Sequence, residues 1–175
     1  RKNIEHILSE NMALSKQTDS FEEKQRSYIL GKYVTGSYSP HYIESAFKSN
    51  NITFPYERIA VCVFQIKNPN ELFADTPGLS DERRYNDLLF IINNVFSELF
   101  DTPGYTCDII DAAGYIFCIV NSSESVSEIN GVIENTMNFG LDSIYDNFNL
   151  SISYVVSDPV HTPYEFSAAC SEALY

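Results

Sequence analysis

The sequence predicts an α+β domain built on one antiparallel sheet, and three features carry that prediction. Ile59–Ile66, IAVCVFQI, is apolar on both alternating faces, the pattern of a central strand covered on one side at least. Residues 106–120, TCDIIDAAGYIFCIV, set a turn of Asp111, Ala112, Ala113 and Gly114 between two apolar runs and read as a β-hairpin. An amphipathic helical stretch lies on either side of that hairpin, and LSISYVV (Leu150–Val156) supplies a further strand.

Taken in order, residues 1–35 are polar and helix-forming, without Pro and without Gly before Gly31. Ile7, Leu14, Phe21 and Tyr28 recur every seven residues, whereas the second seam (Ile4, Asn11, Thr18, Gln25) is mostly polar, which makes half a coiled-coil pattern. A lone amphipathic helix is marginal in water, so this stripe must pack on its own domain or on a second copy. Residues 36–56 form a short connecting helix and loop: Ser39 as N-cap, Pro40 at the first helical position, and an apolar face of Ile43, Ala46 and Phe47. The strand at 59–66 opens the main domain, 57–175. Residues 68–82, with Pro69, Pro77 and Gly78, read as a loop. ERRYNDLLFIINNVFSELF (82–100) then carries Leu88, Ile91, Ile92, Val95, Phe96 and Leu99 at helical spacing. After the hairpin, Val126, Ile129, Ile133 and Met137 mark a helix over Ser125–Asn138, continuing brokenly to Tyr145. Leu150–Val156 is a strand, and Pro163 opens a last helix through Phe166, Ala169, Cys170 and Leu174. The candidate core is Val61, Val63, Ile92, Val95, Phe117, Ile119 and Ile152.

From residue 58 the order is therefore β-α-β-β-α-β-α. Two βαβ units sharing a hairpin give the ferredoxin-like split, an antiparallel sheet with helices on one face. Right-handed crossovers leave few other windings.

Composition excludes several function classes. The formal net charge of −13 opposes nucleic-acid binding by this segment, because phosphate contacts need clustered Lys and Arg. At 44% hydrophobic and 14% aromatic residues in 175, the chain can build a core and is not of disordered type. Cys62, Cys107, Cys118 and Cys170 show no metal-finger spacing and read as reduced core cysteines of a cytoplasmic protein. No apolar stretch approaches the roughly 20 residues that span a bilayer. The opening RKN suggests a piece of a longer protein; a basic pair there suits the cytoplasmic flank of a membrane helix, and an arbitrary end point suits it equally.

The motif candidates are weak. DTPG occurs at Asp75–Gly78 and Asp101–Gly104, but a GTPase site also needs a Gly-rich phosphate loop, and Gly31-Lys32 lacks the upstream Gly. Asp-x-Pro-Gly is good turn chemistry. His6, His41 and His161 are scattered, without paired ligand spacing. The NIT, NSS and NLS sequons at Asn51, Asn121 and Asn149 are discounted, Asn149 because it should begin a strand. No catalytic, cofactor-binding or metal-binding residue is expected, and no cofactor.

The element order, the hairpin, NLSISYVVSD (149–158) and the closing SAACSEALY (167–175) resemble the GGDEF domain of diguanylate cyclases over about residues 57–175. In that family the hairpin turn is Gly-Gly-Asp/Glu-Glu-Phe, whose glycines admit a guanine nucleotide and whose acids serve metal-assisted phosphoryl transfer. Here the five positions are Ala113, Gly114, Tyr115, Ile116 and Phe117. Ile116 cannot bind a cation and Tyr115 does not replace a metal carboxylate. The first strand, where the family has a metal-binding Asp, reads VFQIKN; the Arg-x-x-Asp inhibition motif falls near Gly104–Asp108, GYTCD, without an Arg. The resemblance thus implies the fold without the chemistry.

A second resemblance covers nearly the whole chain. The polar helix, YVTGSYSPHYIESAFKSNNITFP, the strand and NDLLFIINNVFSELF are similar to the central region of AraC-type transcriptional regulators, where a degenerate GGDEF-like domain sits between a sensor and a DNA-binding helix-turn-helix pair. This implies a non-enzymatic relay and dimerisation module, paired through Ile7, Leu14, Phe21 and Tyr28. DNA would be met through a region outside this chain, and a membrane only through an upstream segment. The alternative is a ligand-binding module with a remodelled nucleotide or small-molecule pocket between hairpin and first domain helix. An active cyclase stands third.

Overall fold

The computed structural model describes residues 21–68, 80–163 and 165. Residues 21–34 are helical (α1), followed by α2 (Pro40–Ser49), β1 (Arg58–Ile66), α3 (Asp81–Leu99), β2 (Tyr105–Ala112), β3 (Tyr115–Ser122), α4 (Val126–Phe148) and β4 (Ile152–Val156). The strands form one four-stranded sheet in the order β2-β3-β1-β4, with every pair antiparallel. β1 and β2 therefore run in the same direction with β3 inserted between them. This is the antiparallel sheet of an α+β domain that the sequence predicts. Ile7, Leu14, the first DTPG, and Phe166, Ala169, Cys170 and Leu174 of the expected terminal helix lie outside the described residues.

Local chemistry sets the boundaries. Ala113 (φ 53°) and Gly114 (φ 81°) form a two-residue turn with both φ values positive, the geometry whose twist matches a hairpin; Ala112 pairs with Tyr115 across it. The loop expected over 68–82 ends earlier, because Ser80 caps α3 by accepting from the Arg83 amide at 3.3 Å, so Asp81 and Glu82 are already helical. α4 is one unbroken helix rather than a broken one. Gly140 lies inside it as a packing residue: a Cβ there would come within 2.7 Å of the Phe96 ring and 3.0 Å of Leu99. Asn149 does not begin a strand; it is the C-cap of α4 in the left-handed conformation (φ 52°), a position that Asn tolerates better than most residues.

The core has two layers, one on each face of the sheet, where helices on a single face were expected. Alternate residues of β1 and β3 divide between them. Ala60, Cys62, Phe64, Ile116, Cys118 and Val120 pack under α3 and α4, with Leu88, Ile92, Phe96, Ile129, Ile133 and Met137. Ile59, Val61, Val63, Phe117 and Ile119 pack on the opposite side under Ile29, Leu30, Tyr33, Val34, Ile43 and Phe47 of α1 and α2. The core thus crosses the boundary drawn at residue 57. Asn121, buried in β3, holds the entry to β1: its Oδ1 accepts from the Tyr56 amide (2.9 Å), and its Nδ2 donates to the carbonyls of Tyr56 (2.9 Å) and Arg58 (2.6 Å).

Of the expected core, Val61, Val63, Ile92, Phe117 and Ile119 are buried, whereas Val95 and Ile152 are only half-buried. β4 is a short edge strand bonded to β1 alone, so its side chains keep water on one flank, and Val155 is 53% exposed. On α1, the heptad residues Phe21 (66% exposed) and Tyr28 (60% exposed) face outward, and a second stripe, Ile29, Leu30, Tyr33 and Val34, docks on the sheet.

Candidate functional site

The hairpin tip carries the five positions, Ala113 to Phe117, that the sequence comparison sets against the GGDEF turn. Ala113 and Gly114 make the turn, Tyr115 is 45% exposed, and Ile116 and Phe117 are buried on opposite faces of the sheet. Ile116 and Phe117 are thus core residues, and Tyr115 is the exposed side chain among the last three positions.

A cleft of about 620 Å³ opens beside this tip, between the end of β1, the first two turns of α3 and the start of β3. Phe64, Ile66, Leu88, Ile116 and Leu150 give it an apolar lining; Gln65, Asp81, Arg84, Tyr85 and Tyr115 bring polar groups. Such a mixture, at this size, is typical of small-molecule sites. Tyr85 bridges α3 to the hairpin by donating its hydroxyl to Asp111 Oδ1 at 2.9 Å. Burial, and then that hydrogen bond, push its phenol up to about 12. On the opposite side of β2, Gly31 of α1 sits so close that a Cβ there would lie 3.2 Å from Ala112 Cβ. One strand end therefore touches both the cleft's hairpin and α1.

Among the described residues no group of three His, Cys, Asp or Glu side chains could hold a metal ion. His41 is exposed on α2, and His161 contacts Arg58 Nη1. Cys62 and Cys118 are buried free thiols, with the Cys107 and Cys118 sulfurs 3.4 Å apart; burial raises the pKa of both buried thiols. Asp101–Gly104 forms the turn before β2, with Gly104 at φ 92°. No described helix is long and apolar enough to cross a membrane.

Arg84, Tyr85 and Gln65 escaped sequence reasoning. A signal for Arg84 existed: ERRY puts two arginines in the opening turns of a helix, where the macrodipole favours acids.

Compared with protein-family models and with curated proteins, the chain matches none. Among solved structures it is similar to the GGDEF domain of FimX from Pseudomonas aeruginosa, at 14% identity and a TM-score of 0.44, over 80% of this chain and 88% of that one.

Proposed function

We propose that this chain is a non-enzymatic relay and dimerisation module of an AraC-type transcriptional regulator, coupling an upstream sensor to a DNA-binding helix-turn-helix region outside the chain. The observation that supports this most is the division of labour on α1. One stripe is anchored in the core, and Arg26 adds a two-pronged ion pair to Asp108 of β2 (2.9 and 2.7 Å). The heptad stripe, Phe21 and Tyr28, is left outward. A helix held this way passes rotation or displacement to the sheet while its free stripe pairs with a second copy. Asn11, Thr18 and Gln25 in the seam keep such pairing weak, as a switch whose states differ by a few kcal/mol requires.

Sedimentation of the chain beside a Leu14→Glu, Phe21→Glu variant tests the reading. A concentration-dependent dimer that the variant loses is expected; identical monomers over a wide range would refute the relay. With GTP and magnesium or manganese, no cyclic dinucleotide should form, since Tyr115, Ile116 and the VFQIKN strand offer no metal carboxylate. Tyr115→Asp with Ile116→Glu should not restore synthesis, because the first-strand ligand is also lacking. Turnover by the unmodified chain that removal of an acidic residue abolishes would return the cyclase reading.

A second reading, a ligand-binding module, is favoured by the cleft itself. It does not exclude the first, since a sensor input and a ligand input can bias one equilibrium.

A further inference from the structure

The cleft contains an arginine, Arg84, whose side chain is paired with no acceptor among the described residues. Three arginines among the described residues are half-buried, and two have partners: Arg26 grips Asp108, and Arg58 donates to the Glu57 carbonyl and meets His161. The Arg84 side chain makes no hydrogen bond or ion pair among the described residues; its Nε, like that of Arg58, is buried without an acceptor, and unlike Arg58 it has no other side-chain partner there. An unpaired charged donor in a largely apolar cleft costs free energy that an incoming acceptor recovers. The guanidinium fork matches a carboxylate or a phosphate.

The surroundings decide between these. Among the described residues Arg84 is the one cation lining the cleft, Asp81 lines the same wall, and the whole chain is strongly acidic, so a polyanion is repelled. The floor of Phe64, Ile66, Leu88, Ile116 and Leu150 calls for an apolar body. We propose that the cleft binds a monocarboxylate with an apolar body, of medium-chain fatty-acid or arylalkanoic type, its carboxylate on Arg84 and its body over that floor. The proposal deepens the ligand-module reading and stands whether or not the chain dimerises, so sedimentation and ligand binding fail separately.

Calorimetric titration and thermal shift of the whole 175-residue chain test it, with octanoate and 3-phenylpropionate as probes, octanamide as the uncharged counterpart, and GTP. Octanoate should bind and raise Tm in a concentration-dependent way, octanamide at least about tenfold more weakly, and GTP not detectably. Arg84→Gln should weaken octanoate by about tenfold or more, and Arg84→Lys, which keeps the charge without the fork, by less. Arg83→Gln, on the exposed side of the same turn, should change nothing. The proposal is overturned if no carboxylate binds at millimolar concentration, if octanamide matches octanoate, if GTP is preferred, or if Arg84→Gln binds as the unmodified chain does. Should Arg84→Gln fail to fold, Arg84→Lys and octanamide still decide.

Discussion

The two faces of the sheet are covered in different ways. On one, α3 and α4 are the crossovers that connect the strands, so the chain cannot form the sheet without laying them down. On the other, α1, α2 and the segment to Phe54 all precede the first strand and no connection depends on them. That cover rests on side-chain packing, with Phe47 ringed by Tyr33 (5.2 Å between centroids) and Phe54 (5.7 Å). A crossover layer belongs to the fold; a layer laid on from outside can shift against it. The second layer is therefore the one free to move without undoing the sheet, and the first is the one that borders the cleft.

The sharpest way to break this contrast is to remove the outer layer. A chain beginning at Glu57 exposes Ile59, Val61, Val63, Phe117 and Ile119 together. It should lose cooperative melting and bind a hydrophobic dye, since the loss is on the order of a domain's whole margin of about 5–15 kcal/mol. A soluble, cooperatively melting 57–175 fragment would show that the layer is dispensable.

Next in size is Val61→Asp, which puts an unpaired carboxylate between β1 and the outer helices and should cost about 3–5 kcal/mol in denaturant unfolding. Val155→Asp on the exposed edge of β4 should stay within about 0.5 kcal/mol. Equal effects would mean that the outer layer is loosely packed.

α4 offers an internal control on the crossover face. Gly140→Ala drives a methyl into Phe96 and Leu99 and should destabilise by about 1–3 kcal/mol. Gly131→Ala meets nothing within 4 Å and should stabilise by about 0.5–1 kcal/mol through helix propensity. A stabilising Gly140→Ala would show that the two helices are free to separate.

Asp108→Asn removes the ion pair that ties α1 to β2 and should cost about 1 kcal/mol, less at high salt. Thermal melts at two ionic strengths check both parts.

The smallest effect concerns the hairpin. Tyr85 titrates near its ordinary value of about 10 when unfolded and at about 12 when folded, so folding favours the protonated phenol. Its contribution is complete below pH 10 and is lost as pH rises through 12. Tyr85→Phe should flatten that part of the stability profile. An unchanged alkaline slope would place the sensitivity in other tyrosines.

Periodicity made the elements legible. Strands alternate and helices repeat along the chain itself, so β1, the hairpin, α3, α4 and β4 could be read from local pattern. IAVCVFQI, apolar on both faces, was compatible with a second cover, but helices on one face alone were expected. Which segment supplied the second one was hidden, because Ile29, Leu30, Tyr33 and Val34 form a stripe beside the heptad of Phe21 and Tyr28, and local pattern cannot rank two stripes on one helix. The helix expected to continue brokenly after Asn138 is unbroken, and Gly140 within it is explained by the close approach of Phe96 and Leu99 of α3, which no local pattern shows.

The candidate site divides in the same way. That Tyr115, Ile116 and the VFQIKN strand bear no carboxylate is a matter of residue identity, and the sequence alone determined it. That Gln65, Arg84 and Tyr115, from three separate elements, border one cleft depends on how α3 lies against the hairpin. That the Arg84 Nε has no acceptor among the described residues depends on the whole neighbourhood. Local pattern arises from bonds along the chain, whereas a cleft and an unpaired charge arise from segments distant in sequence, and only the tertiary structure brings those together.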